Sequence, residues 1–164
     1  MNFVLQFCHW SQGTQYAEAF RQADFLFPLV EGTHIMAMAL SVGLIFMLDL
    51  RLLRIAFCSE PVTRIMRQVM PWALPAFGIM FVTGLALFLA QAENVFTNGY
   101  FRMKMLLLLL LALNAVLFQF RFYPHLAEWD TAEVVPVGAQ AIAVISLVFW
   151  FAVIACGRMM AYEL

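Results

Sequence analysis

Glu31 and His34 stand three residues apart in the first long apolar stretch of this 164-residue chain. Ionisable side chains inside a membrane span are costly, so they face a cavity, a partner or a cofactor. A neutral imidazole in that setting suits an axial ligand of a b-type haem held between helices. Glu31, one turn away, would set the tautomer of His34 or relay a proton. Haem propionates need cations, and Lys104 and Arg158 stand at the mouths of later apolar stretches, placed to supply them. Asn114 lies near the middle of the third stretch, either as an interhelical hydrogen bond or as lining of a ligand cavity. A plainer alternative has Glu31 and His34 satisfying each other or a neighbouring helix, with Lys104 and Arg158 reaching to the headgroups. A second axial ligand would have to come from Met80, Met105, His9 or another subunit.

Other chemistries have less to stand on. The Glu-x-x-His spacing of Glu31 and His34 occurs on di-iron helices, but such sites need the motif twice plus two more carboxylates. Thioethers suit Cu(I), and Met36, Met38, Met103, Met105, Met159 and Met160 are candidates for copper handling. Methionine is equally an ordinary packing residue. Cys8, Cys58 and Cys156 form no Cys-x-x-Cys pair, which removes a c-type haem attachment and a structural zinc site. With a net charge of −1, no basic run and no phosphate-cradling glycine loop, nucleic acid is not an expected partner. Asp49, Arg51 and Arg54 at the far end of the first stretch, with Gln119 and Arg121 across the bundle, form a second cluster, read either as an Asp–Arg contact that fixes the helix end or as a place for a substrate or partner.

The elements that must position these residues follow from composition. Hydrophobic residues make up 65% of the chain and charged ones 12%, against about 45–50% and about 25% in soluble domains. Four windows nearly free of charge each supply the roughly 17–25 residues of a transmembrane helix. Backbone groups in lipid must be satisfied within the segment, so these windows are helices. The expected fold is all-α: an integral membrane four-helix bundle with an N-terminal interfacial amphipathic helix. Residues 1–24 form that interfacial segment and 25–164 the membrane domain, with spans near 27–50, 70–91, 103–122 and 136–157. Pro28 and Pro71 are placed in first turns, Pro75 deeper as a kink, Asn98-Gly99 as a turn and Pro124 as a stop.

Arg51, Arg54, Arg64 and Arg67 make the first connection cytoplasmic by the positive-inside rule. Both termini then lie outside, and His34, Lys104 and Arg158 share the outer half.

Several of these residues recur in a set. Phe27-Pro28-x-x-Glu31-x-x-His34 is followed by Asp49-Leu50-Arg51, Pro71-Trp72, Thr83-Gly84 and Phe101-x-x-Lys104. Asn114, Ser146-x-x-x-Trp150 and Gly157-Arg158-x-x-x-Tyr162 complete it. Over about residues 25–162 this resembles a bacterial family of small four-helix membrane proteins of unknown function. More loosely it is similar to CopD-like copper-resistance proteins and HemJ-type protoporphyrinogen oxidases. The latter resemblance implies haem b at His34 and a second functional position at Lys104. HemJ-type proteins carry a histidine in the third span, where this chain has Asn114 or Gln119, so their reaction is not implied.

The expected protein is therefore a bacterial inner-membrane redox protein. It would pass electrons between a membrane donor such as a quinol and a redox protein outside. An accessory or anchor subunit of a larger complex, or of a homo-oligomer, is the alternative; copper handling is the second.

Overall fold

The computed structural model describes residue 6 and residues 9–130 and 134–163. The interfacial helix expected over residues 1–24 lies partly outside these. Among the described residues the chain is helical, with no strand. Helix α1 (Gln15–Gln22) is amphipathic, and the Phe20 ring meets Phe27 edge-on at 5.6 Å. Four helices are long and apolar enough to cross a membrane. These are α2 (Leu26–Leu52), α3 (Val62–Ala90), α5 (Gly99–Leu117) and α7 (Val137–Glu163). Two short helices, α4 (Ala92–Thr97) and α6 (Leu126–Trp129), lie in the second and third connections.

The second span starts at Val62, earlier than the expected 70, so Pro71 and Pro75 are interior rather than one of them in a first turn. The cause is a cap supplied from elsewhere. Asp130, in the third connection, accepts the Thr63 backbone N–H at 2.8 Å and the Thr63 hydroxyl. A carboxylate there satisfies donors that the first turn leaves open and complements the helix dipole. The third span also starts early, at Gly99, because the Asn98 side chain accepts from Tyr100 N and Phe101 N at 2.9 and 3.3 Å. It ends through a π turn (Phe118–Phe122) and a 3-10 turn containing Pro124.

Helices pack chiefly in two pairs, α2 with α3 and α5 with α7, joined through α2 and α7. Ala73, Ala76, Ala139 and Ala143 are almost fully buried, small residues that let backbones approach. A β-carbon on Gly138 would lie 2.6 Å from Cζ of the Phe122 ring, so a larger residue there would displace the ring. The six consecutive leucines Leu106–Leu111 divide by exposure: Leu111 is buried, as are Asn114 and Phe118 further along, while Leu106 and Leu109 point outward. Phe77 stacks on Trp150 at 5.8 Å in the middle of the bundle. Gln12 accepts the Glu93 N–H at 2.9 Å, placing the N-terminal segment beside the second connection.

Candidate functional site

His34 lies on the first span roughly 12 Å from its start at 1.5 Å per residue. Its ring is half-buried and rests on Gly84 of the second span. A β-carbon at position 84 would stand 3.0 Å from His34 Cε1 and 3.4 Å from Nδ1, so glycine makes the room. Nδ1 lies 3.0 Å from the Met80 carbonyl oxygen and 3.0 Å from the Thr83 hydroxyl. A carbonyl only accepts, so Nδ1 carries the proton. Thr83 donates its own hydroxyl proton to Ile79 O at 2.7 Å and receives His34 on its lone pair. Among the described residues Nε2 has no hydrogen-bond partner, so in the neutral ring its lone pair is free.

The other two spans complete the surroundings. Lys104 stands in the second turn of the third span, within electrostatic reach of His34. Its ammonium extends to the fourth span, 3.7 Å from where a β-carbon on Gly157 would be and beside Cys156. A β-carbon there would make only an ordinary van der Waals contact, so the approach of Lys104 does not depend on glycine. One end of the bundle thus combines an imidazole with an uncommitted nitrogen and an ammonium, drawn from different helices.

The remaining sequence candidates sit apart from this pair. Glu31 is exposed, and the tautomer of His34 is set by Met80 and Thr83 instead. Arg158 is at the exit of the fourth span, with its guanidinium on Tyr162 of the same helix: 3.3 Å to the hydroxyl and 5.0 Å above the ring. Asn114 is 7% exposed and donates to Ile142 O at 3.0 Å. It ties the third span to the fourth, the structural one of its two expected roles, about 15 Å along the helix from Lys104. Met80 turns its sulfur to Ser41 at 4.0 Å, and Met105 is exposed. Among the described residues no three His, Cys, Asp or Glu side chains gather as a metal site.

Residue-by-residue reading offered Met80 only as a possible sulfur ligand, whereas its backbone carbonyl is what meets His34, and it missed Thr83 as a partner of the ring. Backbone carbonyls carry no chemical signal of their own. Thr83 was visible only as a member of the recurring set.

The expected contact between Asp49 and Arg51 is corrected by the structure. Residues two apart point to nearly opposite sides of a helix. Asp49 is 4% exposed, and its Oδ2 has no hydrogen-bond partner among the described residues. Arg51, 2% exposed, donates from Nε to Glu60 O at 2.6 Å and from Nη2 to Asp130 O at 3.4 Å. It clasps the first and third connections together.

Residues 22–163 match the model of a family of unknown function, DUF6644. No curated protein and no solved structure matches the chain.

Proposed function

The chain belongs to the DUF6644 family, and we propose that it is a small membrane redox protein binding one b-type haem at His34. The observation that supports this is the tautomer. A histidine that donates Nδ1–H to a backbone carbonyl is oriented, made more basic, and left with Nε2 free to ligate. A haem brings four nitrogens of its own, so one protein ligand suffices where the described residues gather no three-residue metal cluster. When bound it supplies a one-electron couple.

The residues around it have separate tasks. Thr83 and Met80 hold the ring, Gly84 makes space for it, and Lys104 supplies a cation for a carboxylate at the site's edge. Arg158 stands at the exit of the fourth span, where a second propionate would be met. Electrons would pass from a membrane donor such as a quinol to a redox partner outside, with both termini on that outer face of a bacterial inner membrane. An accessory or anchor subunit is the second reading. It is favoured by Asn114, whose polar group is used to tie two helices together.

The test is a reduced-minus-oxidised visible spectrum of detergent-purified protein with haem counted against protein. Near-stoichiometric haem b is expected, with nearly all of it lost in His34→Ala. A colourless protein from haem-replete cells, or a variant that keeps its full haem content, overturns the assignment.

A further inference from the structure

At the end of the bundle opposite His34, a groove of about 340 Å3 lies between the first and second spans. Its floor is Leu44, Met47, Ile65 and Val69. Its rim is polar: Glu60, Arg64 and Gln68 follow one another a turn apart on the second span and its approach. Glu60 and Arg64 form an ion pair at 2.9 Å. Leu44 lies roughly 12 Å back from the end of the span, so the groove runs from the headgroup level into the hydrocarbon.

The connection above this groove is held under strain. Arg54 and Phe57 adopt φ of 59° and 55°, a left-handed backbone that bulky side chains avoid. The Glu60 N–H donates to Phe57 O at 3.0 Å, and buried Arg51 grips Glu60 O at 2.6 Å. Arg51 therefore fixes a conformation that hangs Phe57 over the groove and sets Glu60 on its edge. Strain maintained by such an over-determined frame is found where a ligand is clamped.

We infer that this groove holds the headgroup of a zwitterionic aminophospholipid. Its ammonium lies against Glu60, its phosphate against Arg64 and the Gln68 amide, and its chains cross Leu44 and Met47 into the bilayer. The charges choose the occupant. A carboxylate beside a guanidinium complements an ammonium beside a phosphate, whereas a purely anionic headgroup would meet Glu60 as a like charge. The volume is at the small end of ligand pockets, about 300–1,000 Å3, enough for a headgroup whose chains trail outside. This site is at the other end from His34 and does not depend on the haem reading.

The full chain is reconstituted in nanodiscs of equimolar phosphatidylethanolamine and phosphatidylglycerol and released into mild detergent. Co-purified phospholipid is then counted by mass spectrometry. Wild type is expected to retain phosphatidylethanolamine over phosphatidylglycerol by about fivefold, the ratio given by one charge contact of about 1 kcal/mol. Glu60→Gln with Arg64→Ala brings the ratio to parity. Leu44→Trp, which fills the floor and leaves the charges alone, lowers retention of phosphatidylethanolamine. No preference in wild type, a preference for phosphatidylglycerol, or a ratio and retention unchanged in both variants would overturn the assignment.

Discussion

The two ends of the first span both carry ionisable residues into the bundle, and they use them in opposite ways. Arg51 is 2% exposed and directs two donors at backbone carbonyls of separate connections, while Asp130 caps the second span through Thr63. The larger core cluster, with Leu48, Leu52, Val62 and Trp129, closes around it. His34 is only half-buried, rests on a glycine and commits one nitrogen of two. Burial of a charged group is therefore a poor sign of chemistry here. The better sign is a polar atom that is held in place, reachable and without an assigned partner.

Substitutions at the two ends should separate by readout. On the haem reading the largest effect belongs to His34→Ala: nearly all haem lost, with the helical fold retained. Arg51→Ala should do the reverse. Removing two charge-assisted hydrogen bonds costs about 3 kcal/mol or more, seen as a lower thermal midpoint in detergent while folded protein keeps its haem ratio. Gly84→Ala sharpens the account of the His34 end. A β-carbon 3.0 Å from the ring must push it, so haem should dissociate about tenfold more readily, the scale of a disturbed supporting contact. Asn114→Ala is the smallest. It removes one interhelical hydrogen bond in the membrane, about 0.6–1.7 kcal/mol, and should leave the haem spectrum unshifted. A shifted spectrum would place Asn114 at the cofactor after all.

Spans were legible because lipid imposes a coarse rule: twenty apolar residues without charge must be helix. Their starts were not. Arg64 and Arg67 count as loop in any charge-based reading, yet Asp130 caps the second span upstream of them and carries the helix out of the apolar window. The six consecutive leucines likewise gave no face, since identical side chains carry no period. Burial of Leu111, with Asn114 and Phe118 further along, chose it.

At the candidate site, residue type singled out His34 and Lys104, and four alternating crossings put them at one end. Glu31 looked like the partner of His34 because it is near in sequence. In the folded chain that place belongs to the Met80 carbonyl, 46 residues away. Composition and charge spacing alone determined an all-helical membrane protein of four spans, because solvation in lipid acts on each segment separately. The protonated nitrogen of His34, the gap at Gly84, the reach of Lys104 to Gly157 and the clasp of Arg51 were decided only by tertiary structure. Each depends on the distance between groups on different helices, and no local rule along the chain encodes that distance.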